Sequence, residues 1–122
     1  HTLLADATRV AVCGWAEGGA MEFNITEATE RSNSVTTVRM EPEPAAAILD
    51  FCREQCGVVV GIAIGENLGG KGFRIAHMGH TNAPMVMGTL GAIETALIAL
   101  DLPHGSGGLQ SATACLGAAL KV

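Results

Sequence analysis

Two apolar segments flanking a glycine-rich run constrain this chain more than any other feature. Val58 to Ile64 is continuously apolar, four glycines follow between Gly65 and Gly72, and then comes Phe73-Arg74-Ile75-Ala76-His77. Short apolar runs bounded by turn residues read as strands, and the unbroken one reads as well buried. So short a connection favours antiparallel pairing, because a parallel crossover needs a dozen or more residues. Alternation along the later strand puts Phe73, Ile75 and His77 on one face and Arg74 and Ala76 on the other.

The flanking sequence supplies helices to cover this hairpin. Residues 2–16 space Leu3, Leu4, Ala7, Val10 and Ala11 at helical intervals, with Asp6 and Arg9 opposite. Met21, Phe23 and Ile25 alternate in a short extended piece, and residues 26–33 form a polar loop. The β-branched run from Val35 to Met40 predicts a strand, stopped by Pro42 and Pro44. A helix over 44–56 buries Ala47, Ile48, Phe51 and Cys52 and ends at Gly57. Asn82 can cap a helix over 84–100, with Pro84 just inside its start. Its stripe is Val86, Leu90, Ile93, Leu97 and Leu100, and Gly88 and Gly91 would let another backbone approach closely. A last helix covers 109–120. The expected fold is α+β, a single domain over 1–122 with a small, mainly antiparallel three-stranded sheet covered by helices.

Composition bounds the partners. Only 16% of the residues are charged and 48% are hydrophobic, against about 25% charge in a typical soluble domain. Such a surface is expected to offer an apolar face to another domain or subunit, and a start at His1 points the same way. With a net charge of -5 and its seven Lys and Arg residues scattered, the chain has no patch for nucleic acid or anionic lipid. The longest apolar stretch, Met85 to Leu100, is too short to span a bilayer and contains Glu94. Cys13, Cys52, Cys56 and Cys115 lack the spacing of a disulfide framework or metal site, and reduced, packed thiols in a cytoplasmic protein are expected.

Arg74 is the most informative charge. Its guanidinium is a rigid fork that matches a carboxylate, and a strand would aim it. A structural ion pair with an acidic neighbour is the other reading. His77 and His80 straddle a strand end and a loop with no acid at matched spacing. That suggests active-site or interface histidines, or plain structural roles, rather than a metal site. His104 carries no specific signal. The Gly65–Gly72 run looks like a phosphate loop, but its spacing is wrong and a strand follows it. No catalytic nucleophile constellation is present.

Larger blocks carry a resemblance. Gly70-Lys71-Gly72-Phe73-Arg74-Ile75-Ala76-His77-Met78-Gly79-His80-Thr81-Asn82 and Met85-Val86-Met87-Gly88-Thr89-Leu90-Gly91-Ala92-Ile93-Glu94 resemble the C-terminal small domain of class V aminotransferases of the alanine–glyoxylate and serine–pyruvate group. Leu102-Pro103-His104-Gly105 and the upstream stretch Arg31–Val38 also look like that group. Ala76 stands where the family often has glycine. The resemblance implies a fold-type-I enzyme whose large domain holds pyridoxal 5'-phosphate on a lysine, and a small domain that closes over the substrate. It places Arg74 at the position that binds the substrate α-carboxylate, and it implies a homodimer acting on small partners such as alanine, serine, pyruvate or glyoxylate. The cofactor-binding large domain is absent from these residues, and Lys71 and Lys121 do not stand in the cofactor-lysine context. No catalytic or cofactor-binding residue is therefore expected in this chain, which alone should be inactive. A free-standing small-ligand-binding or regulatory domain, and a non-catalytic oligomerisation module, are the competing readings.

Overall fold

The computed structural model describes residues 2–23, 35–63, 71–76 and 82–122. Helix α1 (Thr2–Ala16) leads into strand β1 (Glu22–Phe23) and strand β2 (Val35–Arg39). Helix α2 (Pro42–Cys56) precedes strands β3 (Gly61–Ile62) and β4 (Gly72–Ala76), and helices α3 (Ala83–Ala99) and α4 (Gly108–Ala119) complete the chain. The sheet is antiparallel throughout, in the order β1-β2-β4-β3. The α+β architecture expected from the sequence is present, and the extended piece at Glu22–Phe23 joins the three expected strands as a short edge strand.

The helix ends follow the sequence punctuation. Pro42 opens α2, where the missing N–H costs nothing, and Gly57 ends it in the left-handed conformation at φ 67°. The Asn82 side chain accepts a hydrogen bond from the Met85 amide at 3.0 Å and caps α3. In the sheet, Gly72 adopts φ 145° and lies against the Val38 carbonyl, a space no side chain could share.

Thr36, Val38, Phe73 and Ile75 form the buried face of the sheet, against which α1 and α2 pack. Val35, Thr37 and Arg74 on the opposite face are half-buried, and Arg39 and Ala76 are exposed. Phe73, Ile48, Ile75, Leu90, Ile93, Leu97 and Trp15 are fully buried at the centre. Each such side chain contributes about 1.5–3 kcal/mol by leaving water.

Several expected details differ. The run from Val58 is not a doubly covered strand. Val59 and Ile62 are exposed while Val60 and Ala63 are buried, because β3 is the outer strand of the sheet. In α1 the buried stripe is Ala5, Ala7, Thr8, Ala11, Val12 and Trp15, while Leu3, Leu4 and Val10 are only half-buried. Small residues there let α1 approach α4, with Gly14 and Gly108 meeting backbone to backbone. Among the described residues, no other backbone approaches Gly88 or Gly91 of α3. Gly88 has no neighbouring atom among the described residues, and Gly91 meets only the Leu109 side chain. Burial of Ala47 and Phe51 on α2 is partial, and Ala45 joins Ile48 and Cys52 inside.

Candidate functional site

Arg74 occupies the centre of β4, opposite Thr37 of β2 and Gly61 of β3. Alternation in β4 turns its side chain away from the core that receives Phe73 and Ile75, as the sequence predicts. The side chain leans toward β3, where its Nε donates a hydrogen bond to the Ile62 carbonyl at 2.7 Å. Guanidinium carries five N–H groups, so this contact leaves the four on Nη1 and Nη2. Among the described residues no acidic side chain pairs with Arg74. The nearest ion pair on that face, Arg39 with Glu22 at 2.6 Å, is self-contained. Arg74 thus does not take the structural ion-pair role within the described residues. It presents a fork held on one side by backbone, suited to accepting a planar anion end-on.

His77 and His80 lie outside the described residues, as do the loop glycines Gly65, Gly69 and Gly70. His104 bonds through Nδ1 to the Leu102 carbonyl at 2.8 Å, a local turn contact. Among the described residues no group of three or more His, Cys, Asp and Glu side chains could hold a metal ion. No helix among them is long and apolar enough to cross a membrane. All four cysteines are free. Only Cys52 is buried, and burial together with the neighbouring Cys56 thiol pushes its pKa up to about 11. Cys13 and Cys56 are exposed and Cys115 is half-buried, so the expectation of packed thiols holds for Cys52 alone. Cys56 escapes because it sits at the last position of α2.

Two contacts were not read from the sequence. Glu94, the lone acid of the apolar α3, accepts hydrogen bonds through Oε1 from the Trp15 indole at 3.0 Å and the Leu109 amide at 3.2 Å. It thereby ties α3 to α1 and to the start of α4, whose N-cap Gly107 makes no side-chain cap. Gly61 is the other, and its place in an apolar run was the available signal, since an isolated glycine in a strand often marks a close approach.

No protein-family model matches the chain, and no curated protein is similar to it in sequence. Solved structures do match. Ureidoglycine–glyoxylate aminotransferase from Bacillus subtilis aligns with 95% of this chain at a TM-score of 0.80 and 20% identity. Pyridoxamine–pyruvate aminotransferase from Mesorhizobium loti aligns with 98% at a TM-score of 0.81 and 28% identity. The chain has the fold of a class V aminotransferase domain. Alanine–glyoxylate aminotransferase from Nostoc sp. also matches, over 78% of this chain, at a TM-score of 0.60 and 21% identity. The aminotransferase-like chain spans only 29%, 30% and 25% of these three proteins respectively, consistent with a C-terminal small domain.

The described residues do not fit the pyridoxal phosphate that such enzymes use. The two lysines, Lys71 and Lys121, are both exposed on the surface. The Lys71 carbonyl serves the sheet by accepting from the Met40 amide at 3.1 Å.

Proposed function

We propose that this chain is the substrate-carboxylate-binding small domain of a pyridoxal-phosphate-dependent transaminase. The observation that carries the reading is the Arg74 guanidinium, fixed by the Ile62 carbonyl and with no acidic partner among the described residues. The names of the three similar structures support the substrate class, since each includes glyoxylate or pyruvate. Both are small 2-oxo acids with a carboxylate beside the reacting carbonyl, and the amino group would come from a small amino acid of the alanine or serine type. The cofactor and the lysine that works with it belong to a large domain outside these residues. The exposed apolar Val59 and Ile62, on and next to the strand that holds Arg74 in place, would suit a surface that this domain covers. Four free cysteines fit a reducing cytoplasm, and a homodimer follows from the same family resemblance.

Physically, Arg74 would bind and orient. Closure over the substrate removes water from around the guanidinium and carboxylate, which strengthens their attraction. A neutral substrate would leave the guanidinium desolvated without a partner, so the pair selects acids. In the full-length enzyme, Arg74→Ala should raise the KM for pyruvate or glyoxylate by at least about tenfold, the equivalent of about 1.4 kcal/mol. Cofactor affinity should stay the same. An unchanged KM would remove Arg74 from the site.

A further inference from the structure

We infer that Gly61 is a positioning residue for the Arg74 guanidinium, acting through the side chain it lacks. This inference rests on the reading of Arg74 as the carboxylate-binding residue.

Side chains on a strand stand roughly perpendicular to the sheet. An arginine in that posture would point its fork away from the sheet on a flexible stem. Arg74 instead leans across its neighbour, because the neighbour has no side chain. Gly61 is the direct partner of Arg74 on β3. A methyl carbon built on Gly61 would lie 3.3 Å from Nη2, 3.4 Å from Nε and 3.6 Å from Cβ of Arg74. The guanidinium therefore rests over bare backbone, and only from there does Nε reach the Ile62 carbonyl at 2.7 Å. That hydrogen bond fixes the plane and direction of the fork. It also occupies Nε–H, so a carboxylate meets the two Nη groups and not the Nε edge.

An alanine at position 61 would press on both Nη2 and Nε. The stem can give, but only by moving the guanidinium away from β3 and lengthening the Nε contact. A valine adds two more carbons over the same surface and leaves no room for the observed posture. In neither case is charge or chemical identity altered. What is lost is aim, and misplacement of about 1 Å can cost up to about 10²-fold in a positioned interaction. No tight contact other than Arg74 meets the added methyl among the described residues, and Gly61 has no left-handed φ that requires glycine. The substitution therefore tests Arg74 and little else.

The experiment uses the full-length, cofactor-loaded enzyme with Gly61→Ala, Gly61→Val, Arg74→Ala and the double variant Gly61→Val/Arg74→Ala. The readouts are kcat, KM for pyruvate and glyoxylate, the inhibition constant of propionate as a probe of carboxylate binding without a carbonyl, and the thermal midpoint. Gly61→Ala should raise KM and the propionate constant by about three- to tenfold with kcat changed less than about twofold, and Gly61→Val should approach Arg74→Ala. The double variant should be no worse than Arg74→Ala alone, because both remove one interaction. If the Gly61 variants bind propionate normally while Arg74→Ala does not, Gly61 has no positioning role and the reading of Arg74 stands. If the two effects multiply in the double variant, Gly61 acts elsewhere and the inference falls. If Arg74→Ala itself changes nothing, the carboxylate reading fails and the inference fails with it. Should the valine variant lose thermal stability, the alanine variant carries the comparison.

Discussion

Removing the Glu94 carboxylate should loosen the helical layer without touching substrate binding. Glu94→Ala deletes two hydrogen bonds, from the Trp15 indole at 3.0 Å and from the Leu109 amide at 3.2 Å. A hydrogen bond to a charged group contributes about 1.5–3 kcal/mol net, and a buried donor left alone costs about 1–3 kcal/mol. Trp15 is fully buried, so its N–H has no water to fall back on. Glu94 is half-buried and the Leu109 contact is long, which holds the sum near the lower end. The expected loss is about 3 kcal/mol. Glu94→Gln keeps an acceptor at the same place and loses only the charge at the start of α4, which is worth about 1 kcal/mol. Native-state hydrogen exchange of the α4 amides in the full-length protein reads this directly, with about 10²-fold faster exchange for Glu94→Ala and less than about tenfold for Glu94→Gln. KM for the 2-oxo acid should be unchanged in both. Equal exchange in the alanine variant and the native protein would refute the accounting, and a raised KM without faster exchange would move Glu94 into the site.

Other perturbations probe the sheet and the core. Gly72→Ala should destabilise the protein by more than about 3 kcal/mol, since the new methyl would collide with the Val38 carbonyl at a φ of 145°; urea unfolding checks it, and a shift within experimental error would disprove the clash. In labelling at pH 8, the exposed Cys13 and Cys56 should react with a thiol reagent before buried Cys52, which should require unfolding. The Cys52 thiol ionises near 9.0 when unfolded and near 11 when folded, so its contribution to stability is whole below pH 9 and is lost as pH rises from 9 through 11. Cys52→Ala should flatten that part of the stability profile.

Local signals were legible wherever one residue determines one backbone event. Asn82 caps α3 and Gly57 closes α2 because each acts through its own backbone or side chain, whereas α2 opens at Pro42, two residues before the expected start at 44. The alternation that separates Phe73 and Ile75 from Arg74 is equally local. Signals that depend on which element lies next door were not legible. Val59 and Ile62 are as apolar as a core strand requires, and only the strand order puts them at an edge. The glycines of α3 looked like a contact surface, but the helix pair that closes tightly is α1 with α4, through Gly14 and Gly108. Nothing in the spacing of α1 distinguishes its alanine-rich face from its leucine face until α4 takes the former.

The same distinction separates two charged residues, Arg74 and Glu94, that lie in the blocks carrying the family resemblance. Both interrupt apolar stretches, but the sequence singles out only Arg74 and gives Glu94 no role. Hydrogen-bonding capacity tells them apart. Oε1 of Glu94 accepts from two donors on two other elements, α1 and α4, and so ties the domain together. Arg74 has one of its five donors fixed by Ile62, and among the described residues no acidic side chain pairs with it. A charge whose contacts close within the domain serves the fold. On the proposed reading, the Arg74 guanidinium is left for a substrate carboxylate, the planar anion that matches its fork.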